Sequence, residues 1–138
     1  MTRSKSGLFL MELIIAICFF AVASAICVQL FANAHILSQR SKGIQMAVLN
    51  AQSVAEGFRG LNGDMEALAY LWQAYANDGS FTAWFDDDWA NVAHNSRFSM
   101  VVETDVLAVP VIIDIRITDT ALETLLYSVR IRRYLGGF

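Results

Sequence analysis

The chain has 138 residues, 56% of them hydrophobic and 17% charged, with a single Pro. That length holds one ordinary domain, or a smaller domain plus one dedicated segment, and the composition excludes disordered, collagen-like and low-complexity chains. Ten Lys+Arg against thirteen Asp+Glu leave a net charge of −3, which gives no electrostatic footprint for nucleic acid, and no nucleic-acid partner is expected.

The apolar excess is concentrated at the front. Leu8 to Leu37 is interrupted only by Glu12, Ser24, Gln29, Asn33 and His35, and Leu13 to Ala32 carries no charge at all. About 20 such residues in a helix cover the ~30 Å hydrocarbon thickness of a bilayer, because a helix satisfies its own backbone where water is absent. A membrane-spanning helix is predicted. A secretory signal peptide fits less well: its apolar core runs only about 7–15 residues to a small-residue cleavage site, and here apolar residues continue past Ala21–Ala25. Cys18 and Cys27 fall on opposite faces of this helix, roughly 13 Å apart along its axis, so they cannot bridge within one chain. They read as small apolar fillers, with an intermolecular bridge as the alternative. No cysteine follows residue 27, so the rest of the chain is expected to hold no disulfide. Arg3 and Lys5 on one side nearly balance Arg40 and Lys42 on the other, so charge alone does not orient the span.

Ser38-Gln-Arg-Ser-Lys42 marks the exit from the apolar layer. Ile44, Ala47, Val48, Ala51, Val54, Ala55 and Phe58 then recur at helical spacing between polar residues. One helix is therefore predicted from about residue 8 to 58, amphipathic in its second half, with Gly43 a candidate bend. Gly60 to Gly63 break it. Met65, Leu68, Leu71, Trp72 and Tyr75 predict a second, shorter helix that opens beside Asp64 and Glu66 and ends at Asn77-Asp78-Gly79. Residues 80–96 read as irregular, with a short strand around Phe81 to Phe85 at most.

Three period-2 runs follow. Phe98, Met100 and Val102 alternate with polar residues, as do Val111, Ile113, Ile115 and Ile117, and then Leu125, Tyr127, Val129 and Ile131. They predict an antiparallel meander with one apolar face, and the amphipathic stretch after residue 43 is the natural cover. The fold class is thus α+β: a long N-terminal α-helix, half membrane-spanning and half amphipathic, packed on a C-terminal antiparallel β-meander.

Among chemistry-bearing residues, Glu12 stands out. A carboxylate one turn inside a membrane helix costs on the order of 2.5–3.5 kcal/mol unless paired, so it marks a functional residue or a side chain that snorkels to the interface. Asp78, Asp86, Asp87 and Asp88 offer oxygen ligands for Ca²⁺, but their spacing matches no EF-hand loop, and solvated turns or caps are the simpler reading. His35 reads as interfacial and His94 as exposed. Trp72, Trp84, Trp89, Tyr70, Tyr75 and Phe85 read as core or subunit contact rather than a ligand surface. No Ser-His-Asp spacing, phosphate loop or HExxH occurs, so no enzyme, metal or cofactor is expected.

The opening Met-Thr-Arg-Ser-Lys-Ser-Gly7, followed by Leu8-Phe-Leu-Met-Glu12 and the apolar run, resembles the N-terminus of type IV prepilins and type II secretion pseudopilins. Gly7 matches that family's cleavage glycine, Leu8 its first mature residue and Glu12 its fifth. Leu8 stands where Phe is commoner, Ser6 where a basic residue often precedes the glycine, and the helix lacks the proline of many major pilins. The resemblance implies a leader of residues 1–7, a transmembrane and filament-core helix over 8–37, and an exported pilin-like domain over 38–138. It implies cleavage between Gly7 and Leu8, N-methylation of Leu8, and assembly through Glu12, whose carboxylate meets the α-amino group of a neighbouring subunit. The implied partners are a prepilin peptidase, other pilin or pseudopilin subunits, an inner-membrane assembly platform and, before assembly, membrane lipid. The implied location is the cytoplasmic membrane, N-terminus inside, and then a pilus, secretion or competence filament. The short domain without a C-terminal cysteine pair points to a minor subunit. The alternative is a single-pass membrane-anchored protein whose exported domain binds a ligand or regulates a partner.

Overall fold

The computed structural model describes residues 3–93, 96–105 and 107–134. Helix α1 spans Arg3–Gly60 and helix α2 Met65–Leu71; the strands are β1 Ser80–Phe85, β2 Asn91–Val92, β3 Phe98–Asp105, β4 Val111–Asp119 and β5 Thr124–Arg133. The class is α+β, a long N-terminal helix followed by an antiparallel sheet. The chain divides into two compact units, Met1–Ser41 and Lys42–Phe138. Gly43 lies within helix α1, which is unbroken there.

The first unit is helix from Arg3 onward. Its large apolar side chains, from Leu8 through Leu37, are exposed. It belongs to a helix long and apolar enough to cross a membrane, and uncovered apolar surface on this scale demands an environment other than water.

In the second unit α1 presents Ala47, Ala51, Val54 and Phe58, at i, i+4, i+7 and i+11, as one buried stripe. The stripe joins Met100, Val102, Ile113, Ile115 and Ile117 of β3 and β4 in a single apolar cluster. The helix ends where Asn62 and Gly63 turn left-handed, φ 53° and 87°, and the N–H of Gly63 donates back to the carbonyl of Phe58. Asp64 then caps α2, accepting from the N–H groups of Glu66 and Ala67.

α2 is shorter than its sequence stripe predicts. It stops at Leu71, and only Leu68 and Ala69 are buried. Gln73 adopts φ 52°, and the Ala74 N–H turns back to the carbonyl of Ala69. The chain must reverse there to enter β1, so Leu71 and Tyr75 end up exposed.

The sheet has five antiparallel strands in the order β2-β1-β3-β4-β5, two more than the predicted meander. β1 and β2 are joined by a loop whose reversal rests on the Asp86 side chain, which accepts from the N–H groups of Asp88 and Ala90. β4 alternates as its sequence predicts, with Val111, Ile113, Ile115 and Ile117 buried. β5 departs at one point. A bulge between Ile117 and Thr118 shifts the phase, so Leu125 is exposed while Leu126, Tyr127, Val129 and Ile131 pack on the core.

Candidate functional site

The residues singled out near the N-terminus all lie on α1. Gly7, Leu8 and Glu12 are in helical conformation, which puts Leu8 and Glu12, four residues apart, on one face with about 6 Å of rise between them. Nothing lies within 4 Å of the position a Cβ would occupy at Gly7. Among the described residues no packing therefore requires glycine there, although glycine in a helix costs about 0.5–1 kcal/mol relative to alanine. Glu12 is exposed and, among the described residues, makes no ion pair or side-chain hydrogen bond. In hydrocarbon such a carboxylate needs a cation, and none of the described residues brings one to it. Further along, His35 Nε2 lies 3.2 Å from the amide nitrogen of Gln39, one helical turn away. Cys18 and Cys27 are free thiols, both exposed.

The second unit carries the other candidates, and it does not gather them into a centre. Asp86 is engaged in its own loop, Asp87 pairs with Arg97 at 2.7 Å, and Asp78 sits in a left-handed turn with φ 48°. Among the described residues no group of three or more His, Cys, Asp or Glu side chains is placed to hold a metal ion. His94 lies outside the described residues. The aromatics divide by role. Trp72, Phe85, Trp89 and Phe98 form a ladder, with centroid separations of 6.0, 5.8 and 4.2 Å between successive rings. Trp84 lies half-buried on the opposite face of β1. Tyr70 and Tyr75 are exposed.

Arg97 is the residue the sequence pattern did not mark. Its guanidinium bonds Asp87, lies 3.7 Å from the carboxylate of Asp119, and sits 5.3 Å from the centroid of the Phe98 ring. The hydrogen bond it donates to Asp87, then the charges of Asp119 and Asp87, hold its proton more tightly than usual against the opposing pull of burial. Asp119 is buried and also accepts from the N–H groups of Ala121 and Leu122. Arg97 thus ties the β1–β2 loop to the end of β4. The only sequence cue was a lone Arg opening a strand beside an acidic loop. Across the outer face of the sheet Arg116 pairs with Glu103, and Arg130 with Asp114, whose carboxyl its hydrogen bond holds below the usual carboxylate range. Both are ion pairs between side chains on the solvent-facing side of the sheet.

No protein-family model, curated protein or solved structure matches the chain.

Proposed function

We propose that this chain is a structural subunit, a minor pilin or pseudopilin, of a type IV pilus, type II secretion or competence filament. The observation that carries the reading is the joining of Gly7, Leu8 and Glu12, at the prepilin spacing, to an uncovered apolar stretch within one helix. A prepilin peptidase hydrolyses the Gly7–Leu8 bond, leaving a carboxylate on Gly7 and a free α-amine on Leu8, which is then methylated. That amine supplies the cation Glu12 lacks: in the filament it lies near the Glu12 carboxylate of a neighbouring subunit, so two groups costly in an apolar layer offset each other. The open space around Gly7 supports the reading, because a glycine with no internal purpose suits an external reader that accepts no side chain at the cut.

Before assembly the subunit sits in the cytoplasmic membrane as a single-pass protein, its leader inside and residues 38–138 exported; an assembly platform then moves it into the filament. Intact mass of protein extracted from membranes tests this. Loss of residues 1–7 plus the gain of one methyl group is the expected result, whereas an uncut N-terminus would favour a permanently anchored protein with an exported binding or regulatory domain.

A further inference from the structure

Thiols aside, the uncharged block Leu13–Ala32 holds two polar side chains, Ser24 and Gln29. A serine hydroxyl can return to a carbonyl one turn back in its own helix, as Ser53 does to Leu49 at 3.0 Å. The Gln29 amide has two N–H donors and a carbonyl oxygen to satisfy. It is exposed and, among the described residues, makes no side-chain hydrogen bond. Gln29 lies about 10 Å from the middle of the block, inside a hydrocarbon layer ~30 Å thick, and Asn33, one turn on and on the same face, reaches the edge of that layer. Hydrocarbon offers neither donor nor acceptor, so the amide calls for a second polar group at the same depth, carried by a neighbouring helix.

A second copy of this chain supplies that group. Copies inserted in the same direction hold Gln29 at the same depth, and an amide is its own complement, the N–H of one donating to the carbonyl oxygen of the other. The face around Gln29 suits close pairing. Ile15, Cys18, Val22, Ala25, Gln29 and Ile36 follow the three- and four-residue spacing of a paired-helix seam, in which a single polar residue fixes register and the number of partners. All six are exposed, and the small Ala25 next to Gln29 lets two helices approach. Cys18 is only about 20° round the helix from Gln29, whereas Cys27 is about 160° away and Glu12 about 100°.

We propose that two copies of this chain pair in the membrane along the Cys18–Gln29 face, as a parallel two-fold dimer held amide to amide at Gln29. The contact is isologous and closes at two, so it asks for no repeat along a filament and suits a subunit used in small numbers. It goes beyond the filament reading, rests only on the membrane placement of the helix, and leaves Glu12 free.

The test uses the full chain in membranes of the expressing cell, oxidised with copper phenanthroline. With Cys27→Ser, Cys18 should link two copies; with Cys18→Ser, Cys27 should not. Ala25→Cys in a chain lacking both native thiols probes a second point on the seam and should link as well. At low expression Gln29→Leu should cut the Cys18-linked fraction by roughly three- to thirtyfold, the range for one interhelical hydrogen bond, while Gln29→Asn keeps an amide and should retain most of it. No link from either Cys18 or Ala25→Cys overturns the proposal. Equal linking through Cys27, or a Cys18 link indifferent to Gln29→Leu, overturns it too. Intact mass of the same samples separates the two readings: Gln29-dependent dimers with an uncut N-terminus uphold the pair and sink the filament reading, whereas cut but unlinked chains do the reverse.

Discussion

Gly43 and Gly57 both sit in α1, yet the same substitution should act on them in opposite directions. At Gly43 nothing lies within 4 Å of a would-be Cβ, whereas at Gly57 that atom would meet Leu68 Cδ1 at 2.9 Å. Replacing glycine by alanine in a helix gains about 0.5–1 kcal/mol, mostly from the lost freedom of the unfolded chain. Gly43→Ala should keep that gain, a rise in Tm of about 2–8 °C for a unit of this size. At Gly57 the gain is set against overpacking of about 1–3 kcal/mol, because Leu68 is fully buried and cannot swing into solvent. The net expectation is a loss of about 0–2.5 kcal/mol. The assay is thermal unfolding of the full chain in detergent, followed through tryptophan fluorescence, since Trp72, Trp84 and Trp89 all report on the second unit. In a Leu68→Ala background the Gly57→Ala penalty should shrink or reverse, because the clashing methyl is gone. Equal stabilisation by both alanines in the native background would refute the close approach of α1 to α2.

Three further outcomes follow from the same structure. Gly7→Leu should block leader removal, read as an absent gel shift in cells holding the cognate peptidase; normal maturation would remove the main support for the prepilin reading. A fragment beginning at Ser38 should be soluble because it keeps the buried stripe Ala47, Ala51, Val54 and Phe58, while one beginning at Asn62 exposes the apolar sheet face and should aggregate; equal solubility would place the stripe outside the core. Asp114, its carboxyl lowered by Arg130, should add stability that is present above the unfolded carboxylate pKa and lost as pH falls through the lower folded one. Because the pair is largely solvated, Arg130→Ala should lower stability only slightly near neutral pH and less in acid, by pH-dependent unfolding.

Long-range patterns were legible in the sequence and local reversals were not. The helix announced itself through an uncharged run and then a 3.6-residue stripe, both too long to arise from another element. β3 and β4 did so through clean alternation. β5 alternates too, yet its phase depends on a bulge opposite Ile117 and Thr118, and an added residue leaves no mark on the pattern until pairing is known. α2 continues in sequence to Tyr75 but ends at Leu71, because the turn at Gln73 is set by where β1 must begin. The β1–β2 hairpin hides in an acidic stretch. Its cue was Asp86, an Asx-turn former followed by Trp89 with φ 63°, and that chemistry is shared by many loops with no strand on either side. At the N-terminus the candidate residues were readable as a motif, but the cation proposed to meet Glu12 lies in a second molecule, which one chain does not contain.

That pairing is tested most directly by separating cleavage from assembly. Cleavage needs only the residues around Gly7, whereas a carboxylate among packed apolar helices is tolerated chiefly when it meets an opposite charge. The measurement is the amount of mature protein in membrane and in sheared-filament fractions for wild type, Glu12→Ala and Glu12→Asp. The filament account expects all three to be cut and inserted normally, with filament incorporation sharply reduced for Glu12→Ala and intermediate for Glu12→Asp. Undiminished incorporation of Glu12→Ala would contradict it.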